Sequence, residues 1–160
     1  LASRISYWRS GWRLFGDHPW MGVGLGNAGF YMPEYLDGYA WRLPEVRELV
    51  FRSGSLLNIK SLWIRILAET GIVGFAFYLA WWFMNWWTGI FMESRNDRLQ
   101  ATLGSMVLFS LVASLLEGFS LDTFALPYPW IPTGLLGAAF AMACKNEIKS
   151  GSTTGGEKSP

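Results

Sequence analysis

Polar and aromatic residues fill the first sixty positions of this chain, and long apolar runs fill most of the remainder. Residues 70–92 carry no charge. As a helix, that run reaches about 34 Å, enough to cross about 30 Å of hydrocarbon with some tilt. Trp81, Trp82, Trp86 and Trp87 thicken toward its end, as an aromatic belt does at a membrane interface. A polar turn over 93–98 separates it from a second uncharged run, 99–116, and a polar break over 117–122 leads into a third, 123–144. Pro127, Pro129 and Pro132 stand near the start of the third run. Pro132 is tolerable in a first helical turn, so that helix begins near Trp130 and spans about 128–144.

The stretch 60–74, KSLWIRILAETGIVG, joins the two halves and reads as a helix entering the membrane. On a helical projection Lys60, Ile64, Leu67, Gly71 and Gly74 share one face, and Ser61, Arg65 and Glu69 share another. Arg65 and Glu69 are then i,i+4 neighbours able to pair. Gly71 and Gly74 bring two positions without side chains together, where a second helix or a lipid-linked substrate can approach closely.

Upstream, residues 3–15 predict an amphipathic helix, with Ile5, Trp8, Trp12 and Phe15 on one side, Arg9 and Arg13 on the opposite edge, and Ser3 as N-cap. Trp and Arg together suit the bilayer interface, and an interfacial helix without chemistry is the competing reading. Asp17-His18-Pro19-Trp20 ends that helix. Residues 22–29 are glycine-rich and contain a literal G-x-G-x-x-G at Gly24, Gly26 and Gly29. A dinucleotide-binding fingerprint requires a preceding buried strand and a βαβ unit, and the pattern offers neither. Closely spaced glycines can instead free backbone N–H groups to cradle an anion. Residues 45–52 predict a short helix, 53–55 a turn, and 145–160 a disordered polar tail.

Composition agrees with a membrane protein: 51% of residues are hydrophobic and ten are Trp. A net charge of +1 gives no basic signature for nucleic acid. The lone cysteine, Cys144, allows no internal disulfide. No metal-ligand cluster and no cofactor motif stands out. The chain begins with Leu, without a signal-peptide pattern, and is expected to be a C-terminal piece of a longer protein.

Three motifs in order resemble the O-antigen ligase and polymerase family of bacterial envelope glycosyltransferases. Arg4-Ile-Ser-Tyr-Trp8 is similar to the family's Arg–x3–Trp stretch. His18-Pro19-Trp-Met-Gly22-Val-Gly24-Leu-Gly26 resembles its His-Pro–x2–Gly-x-Gly-x-Gly loop. Lys60-Ser61, nine residues, then Gly71-Ile-Val-Gly74 resembles its His-[Asn/Ser/Gln]-x9-Gly-x-x-Gly entry into a membrane helix. The similarity covers roughly residues 3–90, and Lys60 stands where the family has histidine.

The resemblance implies an all-α integral membrane protein of the bacterial inner (cytoplasmic) membrane, multi-pass. An extracytoplasmic loop region with amphipathic helices, residues 1–59, would precede a membrane region, 60–144, with three C-terminal transmembrane helices. The positive-inside rule alone would place the arginine-bearing first segment in the cytoplasm, but it weakens for long folded segments. The implied activity moves a glycan from an undecaprenyl-diphosphate-linked donor to a lipid A-core or growing polysaccharide acceptor, without a cofactor or metal. Its implied site residues are Arg4, Lys60 and Ser61 for the chemistry, with Arg9, Arg13, His18, Gly22, Gly24, Gly26 and Arg65 binding substrate. A non-enzymatic component of polysaccharide export is the alternative. Against it, the three runs lack the charged residues that line a transport path.

Overall fold

The computed structural model describes residues 2–52, 56–95, 97–121 and 127–154. These residues are all helical or loop, with no strand among them. The helices are α1 (Ala2–Asp17), α2 (Ala28–Tyr35), α3 (Pro44–Phe51), α4 (Leu62–Glu93), α5 (Arg98–Glu117) and α6 (Pro127–Thr154), with a 3-10 turn at Ala40–Arg42. The predicted turn at 53–55, the end of the polar break at Asp122 and the last residues of the tail lie outside the described residues.

The chain divides into two units. The first holds residues 1–81 and 115–125, and the second holds 82–114 and 126–160. The first unit has a core of Tyr7, Leu14, Met32, Leu36, Val46, Leu57, Ile59, Ile64 and Ala68, drawn from α1, α2, α3, the start of α4 and the loop positions 36, 57 and 59. Helix α1 enters it with a face that the apolar pattern does not single out. Ser6, Tyr7, Ser10, Gly11 and Leu14 are buried, whereas Ile5 and Trp12 of the predicted apolar side are exposed. Small residues explain the choice. A Cβ on Gly11 would meet Ile64 Cγ2 at 2.7 Å and Ile59 Cγ2 at 3.1 Å, so Gly11 lets α1 approach the residues flanking Lys60. Ser3 lies inside α1 rather than capping it, and its hydroxyl donates to Glu45 Oε2 on α3. Pro44 opens α3, where its fixed φ suits the first turn and its missing N–H costs nothing.

The second unit packs Met92, Val107, Leu111, Leu136 and Ala139 together. Gly89 and Gly104 let α4 and α5 touch backbone to backbone: a Cβ on Gly104 would meet Gly89 O at 2.6 Å. Large apolar side chains face outward here, among them Phe83, Met84, Trp87 and Phe109. Among the described residues α4 and α5 are long and apolar enough to cross a membrane. The third predicted span falls within α6, which carries Pro132 inside it and continues to Thr154. Residues 145–154 are therefore helical where the polar composition predicts a disordered tail.

Candidate functional site

Helix α4 is broken at Gly71, and the break organises the first unit. Gly71 has φ 65° and ψ −169°, far from helical values, so the polypeptide turns out of one helix and into another at a single residue. A broken helix exposes carbonyls at the end of its first half and N–H groups at the start of its second. One loop satisfies both sets. Val23 N donates to Ala68 O (3.1 Å) and Gly24 N to Glu69 O (2.8 Å), closing the first half. Ile72 N donates to Pro19 O (2.8 Å) and Val73 N to Trp20 O (3.3 Å), opening the second.

The fit is backbone against backbone, which is why both sides need glycine. A Cβ on Gly71 would collide with the Trp20 carbonyl and come within 2.6 Å of Met21 N. A Cβ on Gly22 would collide with the Glu69 carbonyl and come within 2.5 Å of Thr70 N. Gly22, Gly24 and Gly26 all have positive φ, a region L side chains rarely adopt. The anion-nest reading of this loop meets an obstacle. The amides of Gly22, Val23 and Gly24 are all donated within the protein, to His18 O, Ala68 O and Glu69 O.

Lys60 precedes α4 rather than belonging to it, so it does not share a helical face with Ile64 and Gly71. It is the one non-glycine with positive φ (60°) among the described residues, a conformation that stores strain of about 1–3 kcal/mol and tends to mark functional positions. Its carbonyl accepts a hydrogen bond from Trp8 Nε1 at 3.3 Å. Ser61 also sits ahead of α4, buried, donating its hydroxyl to Gly118 O at 3.3 Å, while its own carbonyl accepts Arg65 N. Leu62 N donates to the carbonyls of Gly118 and Leu121. The start of α4 is thus pinned by the 118–121 turn, a contact that no local pattern near residue 60 reveals.

Below Lys60, Arg65 Nε and Glu69 Oε1 pair at 3.0 Å, as their i,i+4 spacing predicts. Glu69 is 2% exposed, so the carboxylate side of this pair is withdrawn from water. Both side chains line a cavity of about 140 Å³ closed by Gly26, Leu56, Leu57 and Asn58. Asn58 belongs to no motif, so no sequence signal marks it.

The remaining predicted residues go elsewhere. Arg13 bonds Asp37 Oδ1 at 2.8 Å and the Tyr35 carbonyl at 3.1 Å, and Arg9 lies 3.7 Å from Asp37 Oδ2. His18 is exposed, with its ring edge-on to Tyr31 at 6.3 Å. Arg4 is exposed on α1 one turn before Trp8 and has no ion-pair partner among the described residues. Burial, then the Glu45 charge, push the Tyr7 phenol up to about 12.

Residues 1–79, which contain the broken helix, its docking loop and Lys60, match the family model described as O-antigen ligase. Through them this stretch of the chain belongs to the O-antigen ligase family. No curated protein and no solved structure gives a match. Membership suggests an O-antigen ligase-like glycosyltransferase activity, a membrane location and, in general terms, a lipid-linked glycan and a polysaccharide acceptor as partners. The O-antigen ligase match ends within the second half of α4, so α5 and α6 lie outside it.

Proposed function

We propose that this chain forms part of a multi-pass inner-membrane glycosyltransferase that moves an undecaprenyl-diphosphate-linked glycan onto a sugar hydroxyl. The observation that carries this reading is the convergence of three motif segments. Trp8 of the first holds the carbonyl of Lys60 in the third, and the loop of the second is docked into the break of α4 that the third supplies. Residues 1–59 would stand on the extracytoplasmic side.

In the reaction the bond from the sugar's anomeric carbon to the diphosphate breaks. The diphosphate leaves with the electron pair, and the acceptor oxygen bonds to that carbon while giving up its proton. The protein must hold charge at the leaving group and position the acceptor. Arg4, exposed and without a carboxylate partner among the described residues, is the guanidinium best placed to take a diphosphate. Arg9 and Arg13 already share Asp37 and are better suited to holding α1 in place. Lys60 offers a compact cation where the family has histidine. The cavity at Arg65, Glu69 and Asn58 supplies donors and an acceptor of the kind sugar hydroxyls bind.

The acceptor would be lipid A-core for a ligase or the growing chain for a polymerase, and replacement of the family histidine by Lys60 favours the polymerase slightly. The test is the envelope polysaccharide of a deletion strain complemented with the full-length protein and its variants. Polymer lost from core lipopolysaccharide but accumulated on the carrier identifies a ligase, and single repeats alone identify a polymerase. Arg4→Ala is expected to reproduce the deletion profile. Lys60→Gly removes the ammonium at a position glycine occupies without strain, and it is expected to do the same. Normal glycan from either variant, inserted and expressed, removes that residue from the mechanism.

A further inference from the structure

Helix α3 has one face in the core and an unusual face outside it. Val46 is fully buried, and Leu49 and Val50 pack against the same core. The opposite face carries Arg47, Glu48, Phe51 and Arg52, which with Arg42 and Pro44 enclose an open pocket of about 330 Å³. A merely solvated face tends to balance its charges. This one does not. The carboxylates of α3 are engaged: Glu48 pairs with Arg52 at 3.2 Å, and Glu45 accepts from Ser3. Arg42 and Arg47 have no ion-pair partner among the described residues, so the pocket keeps two uncompensated guanidinium groups. Beside them the Phe51 ring is 70% exposed, held from behind by Trp41 at 6.4 Å between ring centres.

We propose that this pocket binds a phosphate ester. Arg42 and Arg47 both line this pocket, and guanidinium groups match phosphoryl oxygens, which accept paired N–H donors in a fixed plane. A flat apolar ring next to them suits the non-polar face of a sugar or the glycerol and first methylenes of a lipid headgroup. The ligand is therefore a phosphorylated sugar or an anionic phospholipid headgroup, two sources of the same chemistry. The pocket uses none of the residues assigned to glycosyl transfer, and the inference stands independently of that reading.

The experiment is calorimetric titration of the full-length protein in neutral detergent with two anionic probes and their counterparts of zero net charge. The probes are mannose 6-phosphate against mannose, and dihexanoyl phosphatidylglycerol against dihexanoyl phosphatidylcholine. Binding is expected for at least one anionic probe and for neither counterpart, and the probe that binds names the source. Arg42→Gln with Arg47→Gln is expected to weaken that binding about tenfold or more, since charge-assisted pairs are lost while the exposed side chains leave the core untouched. Arg47→Lys keeps the charge without the fork and is expected to fall between. Phe51→Ala is expected to weaken it several-fold. No binding of either anionic probe, or binding that survives the double substitution unchanged, overturns the proposal.

Discussion

Gly71→Ala tests whether the broken helix and its docking loop hold the first unit together. The geometry imposes three costs. Alanine at φ 65°, ψ −169° occupies a region that is nearly exclusive to glycine, worth about 1–3 kcal/mol. Its Cβ also overlaps the Trp20 carbonyl, and forced overpacking of this kind costs about 1–3 kcal/mol. If the loop withdraws instead, the bonds from Ile72 N to Pro19 O and from Val73 N to Trp20 O weaken, at about 0.5–1.5 kcal/mol each. Overpacking and bond loss are alternatives, because moving the loop relieves one by incurring the other. The expected total is about 2–6 kcal/mol, or about 4–24 °C in Tm for a chain of this size. The assay is thermal unfolding of the purified full-length protein in detergent, read by tryptophan fluorescence and by the monomer peak on size exclusion. Gly16→Ala is the control: nothing lies within 4 Å of a Cβ there, and alanine in a helix is expected to be neutral or to add up to about 1 kcal/mol. Gly22→Ala attacks the same contact from the loop side, so the double variant should cost less than the sum of the single ones. A Gly71→Ala protein melting within about 2 °C of wild type would refute the argument.

Tyr7 buries its hydroxyl without a hydrogen-bond partner, so Tyr7→Phe is expected to leave stability unchanged or raise it by about 1–2 kcal/mol in thermal melts. The raised phenol adds a pH signature. The fold bears no ionisation penalty from this phenol below the ordinary value of 10, and the penalty grows as pH climbs toward about 12, so wild-type Tm should fall across that window and the fall should shrink in Tyr7→Phe. Arg13→Ala is expected to cost about 1 kcal/mol, because it gives up a 2.8 Å contact to Asp37 and a bond to the Tyr35 carbonyl. Arg9→Ala, at 3.7 Å and with a side chain 60% exposed, is expected to cost nothing measurable by the same melts.

Where local patterning carries the information, sequence and structure agree. The stop of α1 before His18-Pro19 comes from the backbone limits proline imposes on its predecessor, and α3 from the Pro44 start and its apolar spacing. The apolar lengths that mark α4 and α5 as candidate spans are equally local. The Arg65 pairing with Glu69 needs only one helical turn. The features that local patterning misses depend on residues far apart in the chain. Gly71 and Gly74 in an apolar pattern read as a helix-packing step, and only the carbonyl of Trp20, about fifty positions upstream, turns Gly71 into a break. Lys60 reads as a first-turn residue by spacing alone, whereas the 118–121 turn holds the start of α4 beyond it. The shared contact of Arg9 and Arg13 with Asp37 is hidden because Asp37, more than twenty residues later, has no periodic relation to them.

Discontinuous membrane helices commonly use the bared backbone at their broken ends to bind ions or anionic groups. Here that capacity is taken, since the carbonyls of Ala68 and Glu69 and the N–H groups of Ile72 and Val73 are bound by the loop. The loop's own amides at Gly22, Val23 and Gly24 are taken as well. The loop and break motifs then occur together for a mechanical reason: each is the backbone cap of the other. Their joint product is a rigid platform that fixes Arg65 and Glu69 beside a cavity, while the Trp8 bond ties Lys60 to the helix that carries Arg4. Substitutions at the glycines should accordingly remove activity only in proportion to the stability they remove. Substitutions at Arg4 or Lys60 should remove activity with Tm intact, and that separation distinguishes platform from chemistry within one set of variants.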